Sequence, residues 1–323
     1  MPARMSRFLV AGVALPWGVL AVLRLAGAER GFPLVPAMAF APQAAATAVL
    51  PVAAAVAVGS RRGAMAAAAA GLALAGPVLG VRRRVRTSDP APDGERLRIA
   101  TLSLRLGRVR PGPVLDLVRR YDVDVLSVQE LTPRAERRLL AAGLAELLPH
   151  GHVIPARAGS VPSASGAVWS RRPIAGTGVV PGSFEQPSVR LARAGGPDVE
   201  LVAVHSKPPA GSPAQVRSWT ADLAALPAPD IDVLRVLAGD FNATLDHAAL
   251  RAVLARGYVD AARATGRAGA WTWRPLRAPL PRLTLDHVLL DPRIGVSALA
   301  IAAVRGSDHR ALIADLVLPH CPC

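Results

Sequence analysis

Apolar and polar positions divide the chain into two parts of different texture. Long, nearly unbroken apolar runs occupy the first part, over residues 8–27, 32–58 and 64–81. About 20 apolar residues suffice to cross the hydrocarbon core of a membrane, and the third run is only just long enough. The runs lack the polar face of a helix that covers a soluble core. The pattern therefore predicts a membrane region of about three helices in residues 1–86.

Details within these runs refine the membrane prediction. Arg24 is close enough to the end of the first run for its side chain to reach the membrane interface. Four prolines interrupt the second run, so a helix there should be kinked or begin late. A cleaved signal peptide would explain the first run alone, but two further runs follow it directly, so cleavage would not yield a soluble protein.

The orientation of the three predicted spans is nearly balanced. The flanking arginines divide four against five between the two sides, so the positive-inside rule favours neither side by count. Because the first helix usually dominates, the N-terminus is expected in the cytoplasm. The C-terminal part of the chain is then expected outside the cytoplasm, attached to the cell membrane.

After the apolar runs the chain changes character. Residues 87–95 (TSDPAPDGE) have the composition of a linker. Residues 96–320 interleave short apolar runs with segments of helical spacing. The runs include Leu97–Leu102, Val199–Val204 and Leu234–Ala238, and the helical segments include Pro133–Leu148 and Pro213–Leu226. This alternation predicts an α/β domain with its site where polar residues follow the strand ends. Three further segments are predicted to be loops that select the substrate: 153–165, 176–198 and 263–282.

The charge of the chain gives little support to nucleic-acid binding. The net charge is +15, but residues 1–88 contribute +9 of it through ten arginines and one acid. A basic surface attracts polyanions, whereas most of this charge flanks the apolar runs. The two cysteines, Cys321 and Cys323, stand beside His320 and offer too few ligands for a closed zinc site.

The sequence Ala-Gly-Asp-Phe-Asn at residues 238–242 ends a predicted strand. Asp240 and Asn242 point to the same side if the extended geometry continues. A carboxylate and a neutral amide donor at this spacing suit a phosphate that water must approach. Asn242 is the only asparagine in the chain. Taken alone, the sequence is better explained by an ordinary Gly-Asp turn after a strand.

Further polar side chains follow other predicted strands. Glu130 ends the run DVDVLSVQE and is a hard oxygen ligand suited to Mg²⁺ or Mn²⁺. His205 ends VELVAVH, Asp286 stands in Leu-Asp-His, and Asp308 and His309 stand in Ser-Asp-His. Histidine titrates near neutrality, and a buried aspartate can orient it. Each residue in isolation is explained as a solvated strand end or a turn.

The order of these motifs resembles that of the endonuclease/exonuclease/phosphatase superfamily. Gln-Glu at a strand end is followed by Ser-Arg-Arg-Pro-Ile at residues 170–174, a strand ending in His, then GDFN, LDH and SDH. The resemblance covers Leu97–Pro319 and leaves out the apolar runs. It implies a four-layer α/β sandwich of two mixed β-sheets flanked by helices, and a catalytic domain over residues 96–320.

The resemblance also implies a metal site. Glu130 would be the principal ligand of Mg²⁺ or Mn²⁺, and Asp308 would support the metal or the loop of His309. The position at which the family usually carries a metal-facing Asn corresponds here to Ser103. A serine is a shorter and weaker ligand than an asparagine, so Ser103 is expected to reach the metal less directly.

The catalytic residues implied by the resemblance are Asp240, Asn242, His309, His205 and Asp286. Asp240 and Asn242 would align water and phosphate, Asp286 would orient His309, and His205 would bind a phosphoryl oxygen. Either Asp240 or His309 would take the proton from the attacking water, and the sequence leaves that choice open.

Together these features predict a membrane-tethered, divalent-metal-dependent hydrolase of phosphoester bonds, acting as a phosphodiesterase, nuclease or phosphatase. Its substrate would be a nucleic acid or a phospholipid head group, and no protein partner is indicated. Trp271 and Trp273 would stack on a base or pack beside a proline-rich loop. The alternative is a non-catalytic membrane module that retains the fold, with a degenerate metal site at Ser103.

Overall fold

The computed structural model describes residues 15–87, 94–276 and 280–319. In the first of these ranges the chain forms a helical region. By length and composition one helix in the described chain, Arg61–Gly80, is long and apolar enough to cross a membrane. The first predicted span begins among residues that are not described. The helices of this region are α1 Leu15–Ala26, α2 Leu34–Met38, α3 Ala41–Thr47, α4 Val49–Ala57 and α5 Arg61–Gly80.

The second predicted span is not one helix. It consists of α2, α3 and α4 in succession. Pro36, Pro42 and Pro51 each lie within the first three residues of one of these helices, where the missing N–H of proline is tolerated. The prolines therefore mark the points at which the chain starts a new short helix.

The C-terminal part of the described chain contains twelve strands in two six-stranded mixed sheets. The first sheet has the order β11-β12-β1-β2-β4-β3 and the second β5-β6-β7-β8-β10-β9. Neighbours are antiparallel except for β1 with β2 and β7 with β8. The strands are β1 Glu95–Ser103, β2 Val125–Leu131, β3 His150–Ile154, β4 Ser165–Ser170, β5 Ile174–Val180, β6 Gln186–Leu191, β7 Asp198–His205, β8 Val233–Asp240, β9 Val259–Asp260, β10 Asp286–Leu290, β11 Gly295–Ala303 and β12 Arg310–Leu318.

Helices cover the outer faces of both sheets, so the domain has the predicted four layers. The two faces of β1 show why: Ile99 enters the core between the sheets, whereas Ala100 faces the helices of the first sheet. Strands buried on both faces read as nearly continuous apolar runs, which made them recognisable in the sequence. The covering helices are α6 Pro111–Arg120, α7 Pro133–Ala141, α8 Leu144–Leu147, α9 Pro213–Ala225 and α10 Ala248–Leu254, whereas α11 Ala261–Ala264 packs into the core between the sheets.

Two predicted boundaries differ from the structure. The segment 176–198, predicted to be a substrate loop, contains most of β5 and all of β6. Gly176 and Gly178 interrupt the apolar pattern of β5, so this strand was not predicted from the sequence. The helix predicted over residues 133–148 is divided into α7 and α8 at Gly143, whose φ of 95° requires the left-handed conformation that glycine adopts easily.

Buried polar bonds join the two sheets near the ends of β2 and β8. The Ser127 hydroxyl donates to the Ala238 carbonyl at 2.8 Å. Gln129 donates its side-chain amide to Ser127 at 2.8 Å and accepts from the Thr101 hydroxyl at 3.1 Å. Because buried polar groups are costly unless paired, this network holds the ends of the two strands in one relative position.

The helical region packs against the second sheet through buried polar contacts. Arg24 and Arg82 both pair with Asp246, which is fully buried. The His247 imidazole bonds to the Val35 carbonyl in α2 at 3.0 Å. Arg24, predicted to extend toward the membrane interface, is instead 5% exposed within the protein. Its charge is balanced by a carboxylate from the loop after β8, which only the tertiary fold brings there.

Candidate functional site

Three neighbouring strands of the second sheet carry polar side chains at the same end. Asp240, the last residue of β8, lies opposite His205 of β7 and opposite Asp286 of β10 in the strand register. All three are at most 3% exposed. The register therefore gathers two carboxylates and an imidazole that lie far apart in the sequence.

The GDFN turn is shaped by two residues with special backbone requirements. A Cβ atom on Gly239 would lie 1.9 Å from the Val204 carbonyl oxygen, so only glycine allows β7 and β8 to approach this closely. Asn242 adopts a φ of 47°, which asparagine tolerates better than most residues. Its side-chain amide donates to the Ser206 carbonyl at 2.9 Å and to Asp240 at 3.2 Å. These contacts lock the Asp240 carboxylate in place.

His309 reaches the same point from the loop before β12. Its Nδ1–H donates to the Asp286 carboxylate at 2.9 Å, and its Nε2 lies 3.8 Å from an Asp240 oxygen. Burial alone lowers the pKa of His309, but the carboxylates of Asp286 and Asp240 outweigh it and raise the pKa above its ordinary value. Burial also raises the pKa of Asp240, against the opposing effect of His309. The two side chains form one strongly coupled proton-holding pair.

The first sheet contributes Glu130, close to the end of β2. Its backbone has a φ of 54°, a left-handed conformation that is uncommon for glutamate and often marks functional positions. The carboxylate accepts from the Leu106 N–H at 2.7 Å. Burial raises its pKa, and His309 acts in the opposite direction. Glu130 therefore faces the same space as the residues of the second sheet.

His205 is held differently from His309. Its backbone N–H donates to the Gln186 side chain at 3.1 Å, and its ring lies 4.6 Å from the Phe184 ring. Burial lowers the pKa of His205 to about 3, so its imidazole is neutral near pH 7. Its Nδ1 is buried with no hydrogen-bond partner in the described chain. A neutral imidazole with a free nitrogen can donate to or accept from a bound molecule.

The donor set fits a divalent cation. Asp240, Asp286 and His309 form a buried group whose candidate ligand atoms lie within 4.8 Å of one another. Asp286 already bonds to His309, so its oxygens are less free than those of Asp240. Among the described residues, Asp308 Oδ1 and Ser103 Oγ are buried without a well-formed hydrogen bond. Unpaired buried oxygens are costly without a ligand, and hard oxygens are what Mg²⁺ and Mn²⁺ prefer.

A cavity of about 570 Å³ opens above this group. Two of the eight predicted site residues, Asp286 and Ser103, lie behind its surface, where Asp286 orients His309 and Ser103 lies beside Glu130. The structure thus brings all eight predicted residues to one place. The six that line the cavity are Glu130, His205, Asp240, Asn242, Asp308 and His309.

Residues beyond the predicted set also shape the site. His287, next to Asp286, bonds to Asp260 at 2.7 Å and to the Ala243 carbonyl at 2.9 Å, so it supports the fold beneath the site. Asp260 belongs to β9, a strand too short to be recognised by its pattern. The two candidate stacking residues differ: Trp273 lines the cavity, whereas the guanidinium of Arg310 lies 3.5 Å from the centre of the Trp271 ring.

Comparison with known proteins gives one family. Residues 100–309 match the family model described as Endonuclease/Exonuclease/phosphatase family. This range includes every predicted site residue. No curated protein sequence matches the chain.

Solved structures share the fold at low sequence identity. An endonuclease/exonuclease/phosphatase from Beutenbergia cavernae superposes with a TM-score of 0.53 at 20% identity, over 69% of this chain and 72% of that one. A family protein from Leptotrichia buccalis gives 0.52 at 16%, over 68% and 99%. D. rerio TDP2 complexed with single strand DNA product gives 0.51 at 14%, over 69% and 99%.

Proposed function

The chain belongs to the endonuclease/exonuclease/phosphatase family, and we propose that it is a divalent-metal-dependent hydrolase of phosphodiesters that is attached to a membrane. One observation carries the proposal: Asp240, Asn242 and His309 converge at the edge of the two sheets. Asp240 and Asn242 stand at the end of β8, His309 stands just before β12, and all three face Glu130 across one cavity. A carboxylate, an amide and an oriented imidazole are the groups that water attack on phosphorus needs.

The residues divide the chemistry among themselves. Asp240 and His309 handle the proton of the attacking water as a pair, because His309 Nε2 and the Asp240 carboxylate lie 3.8 Å apart. Asp286 positions the His309 ring through Nδ1. As the water oxygen bonds to phosphorus and the bond to the leaving alcohol breaks, the proton taken by the pair is returned to the leaving oxygen.

Asn242 and His205 hold the phosphoryl group. The Asn242 amide donates one hydrogen to Ser206 and the other to Asp240. A phosphoryl oxygen would take the place of Asp240 in the longer, 3.2 Å bond and would meet an amide that Ser206 already orients. His205 is neutral, and its free nitrogen can bind a phosphoryl oxygen without adding charge to the cavity. Preorganised donors of this kind typically contribute about 10²–10³-fold to turnover.

Mg²⁺ or Mn²⁺ would be held by Glu130, with Asp308 and Ser103 as supporting oxygens. The bound ion would polarise a phosphoryl oxygen and offset the charge that develops there. The unpaired oxygens of Asp308 and Ser103 support this assignment. Serine reaches less far than asparagine, so Glu130 would carry most of the direct protein ligation.

Membrane attachment is supported by the surface of the helical region. Thirteen of the twenty large apolar side chains that are exposed in the described chain belong to residues 15–87. They include Leu72 and Leu79 on α5, 74% and 66% exposed. A water-facing surface of this kind is unfavourable, and a bilayer would cover it. The full-length protein is expected to sediment with membranes and to require detergent for extraction; recovery in the soluble fraction without detergent contradicts the attachment.

Hydrolysis of bis(p-nitrophenyl) phosphate by the purified full-length protein tests the activity. We expect turnover that requires Mg²⁺ or Mn²⁺, ceases in excess chelator and returns when metal is added back. Asp240→Asn should lose at least about 100-fold because it removes the charge that the proton transfer needs.

The control is Asp232→Asn, which changes an exposed acid just before β8. It should keep wild-type turnover, and circular dichroism should be the same for all three proteins. Full activity of Asp240→Asn, or turnover undiminished in chelator, would overturn the proposed function. A folded wild-type protein without any metal-dependent turnover would favour a non-catalytic module.

A further inference from the structure

The helical region forms one wall of the active-site cavity. Pro36 of α2 lines it, as do Ala39 and Phe40 in the turn between α2 and α3. We call these three residues the helical wall. They belong to the part of the chain that lies outside the residues matched by the family model. The cavity is thus completed by a segment that the family model does not cover.

The helical wall is held in place by a specific contact. His247 lies just after the turn that carries Asn242, and its Nε2 bonds to the carbonyl of Val35, one residue before Pro36. Its Nδ1 accepts from the Thr244 N–H at 2.8 Å. The accepting Nδ1 places the proton on Nε2, which therefore donates to Val35. The same loop that fixes the catalytic Asn242 also fixes the wall.

The part of the chain that forms the two sheets, residues 94–319 without the three undescribed residues 277–279, is called the sheet domain. It contributes further apolar side chains next to the helical wall. Ala39 packs with Leu283 and Leu285 in one cluster, which Phe40 and Trp273 join. Leu283, Leu285 and Trp273 line the cavity too. A phosphodiester group needs polar contacts on its oxygens and gains nothing from such a surface. The apolar side of the cavity therefore fits a part of the substrate other than its phosphate.

The apolar lining continues to the mouth of the cavity. Leu106, Val161 and Leu280 line it and are each about half exposed, at 50%, 55% and 51%. The apolar lining thus forms a path from Leu285 and Trp273 to the half-exposed residues at the rim. The helical region, which supplies the wall, carries most of the exposed large apolar side chains of the described chain. An apolar chain could follow this path from a bilayer.

The charge of the lining argues against a polynucleotide. None of the residues that line the cavity in the described chain is Arg or Lys, although the protein has 38 such residues. Single-stranded nucleic acid binds in positively charged grooves that follow its phosphates. A lone phosphodiester on an apolar chain needs no such groove.

From this geometry we propose that the substrate is an amphiphile, a phosphoester with an apolar chain that lies against Pro36, Ala39 and Phe40 while its phosphate faces Asp240 and His309. The proposal rests on the proposed hydrolase function and names its substrate class. The occupant is a membrane lipid, because the helical region that supplies this apolar wall also carries most of the exposed large apolar side chains of the described chain.

The test is a series of p-nitrophenyl phosphodiesters whose second ester group is methyl, butyl or octyl. Full-length protein in lipid nanodiscs is assayed with Mg²⁺, and kcat/KM is compared along the series. We expect the octyl-to-methyl ratio of kcat/KM to be about tenfold or more, since each buried methylene contributes several-fold. Phe40→Ala should lower that ratio by at least about threefold, because it removes the largest side chain of the wall.

Two further variants separate the wall from general effects. Leu34→Ala removes an exposed apolar side chain from the same helix without touching the cavity, and it should keep the ratio. Partition of the octyl ester into the nanodisc is the same for both proteins, so it cannot imitate a difference between them. Should Phe40→Ala fail to fold, Val161→Ser at the exposed rim serves instead, because a half-exposed side chain is rarely essential to folding.

A binding measurement makes the inference independent of turnover. Calorimetry compares octylphosphonate with methylphosphonate for wild type, Phe40→Ala and Leu34→Ala. If no ester is hydrolysed, the proposed function fails, and selective binding of octylphosphonate that Phe40→Ala weakens still supports the apolar subsite. Equal kcat/KM along the ester series, or a ratio unchanged in Phe40→Ala, overturns the inference. So does faster cleavage of a single-stranded oligonucleotide than of the octyl ester.

Discussion

The helical region and the sheet domain differ in how far their apolar side chains are buried. The sheet domain buries its apolar side chains in three cores, one between the sheets and one behind each sheet. The helical region has a small core of its own and leaves Leu72, Leu79 and eleven other large apolar side chains exposed. The first arrangement suits a domain in water and the second a segment that meets lipid.

The same two regions are nevertheless joined by polar contacts that a simple tether would not need. Asp246 forms salt bridges with two arginines of the helical region, and His247 forms a hydrogen bond with the Val35 carbonyl in α2. A flexible anchor could be cut away without consequence for the site. Here the helices supply part of the cavity, so the helical region and the site form one structure.

The largest effect is expected where the sheet domain alone carries the chemistry. His309→Ala should lower turnover of a phosphodiester by about 10²–10⁴-fold, because it removes half of the proton-holding pair. His150→Ala, at the edge strand β3, should leave turnover unchanged. Steady-state kinetics with circular dichroism of both variants checks this. Comparable loss in both would show that the site does not depend on His309 in particular.

The next largest effect is expected at the salt bridges that connect the helical region to the sheet domain. Asp246→Ala should lower the free energy of unfolding by about 3–5 kcal/mol, because it leaves Arg24 buried without a counter-charge. The matched control is Asp315→Ala, whose partner Arg98 is 36% exposed at its side chain; an exposed pair contributes about 0–1 kcal/mol. Chemical denaturation of both variants measures the difference. Similar losses would mean that the helical region is only loosely attached.

The free energy of unfolding should depend on pH through His247, and this effect should be of intermediate size. Burial lowers its pKa from 6.5 to about 4, with Asp246 opposing and Arg251 adding to the shift. In the unfolded chain the His247 imidazole becomes protonated near pH 6.5, whereas in the folded protein it becomes protonated only near pH 4. The stabilisation is therefore complete above pH 6.5 and is lost as the pH falls from 6.5 to 4. Its size is on the order of 3 kcal/mol.

Stability measured across this range for wild type and His247→Gln tests the assignment. The variant should be less stable at pH 7 but should lose less stability between pH 6.5 and pH 4. His205, with a pKa of about 3, adds a similar loss to both proteins and cancels in the comparison. Parallel curves for the two proteins would place the acid sensitivity elsewhere.

The smallest effect is expected at Ser103. Ser103→Asn should restore an amide oxygen beside Glu130 and lower the metal concentration for half-maximal activity by about tenfold, equivalent to about 1–2 kcal/mol. A metal titration of both proteins, with melting temperatures as a check on folding, decides it. An unchanged midpoint would mean that Ser103 serves only to end β1 and does not face the metal.

The sequence predicted the fold where strands are buried on both faces. Apolar runs such as Val199–Val204 and Leu234–Ala238 correspond to β7 and β8. β5 and β11 were missed because their polar and small residues reflect partial exposure, which a pattern of apolar positions does not register. β6 is largely buried but was missed because Gln186, Pro187 and Ser188 do not form an apolar run. The limits of the membrane region, linker and catalytic domain remain predictions, as do the roles of the eight site residues.

What the sequence determined by itself was local chemistry at strand ends. Gly239 stands where two strands approach closely, and Asn242 stands where the backbone has a positive φ. Glycine and asparagine are residue types suited to these conformations, so the sequence itself indicates them. The tertiary structure decided everything that depends on register and packing: the row His205–Asp240–Asp286, the unpaired oxygens near Glu130, and the helical wall beside them. Contacts between residues 200 positions apart leave no periodicity in the sequence, so only the fold could bring Phe40 to the active site.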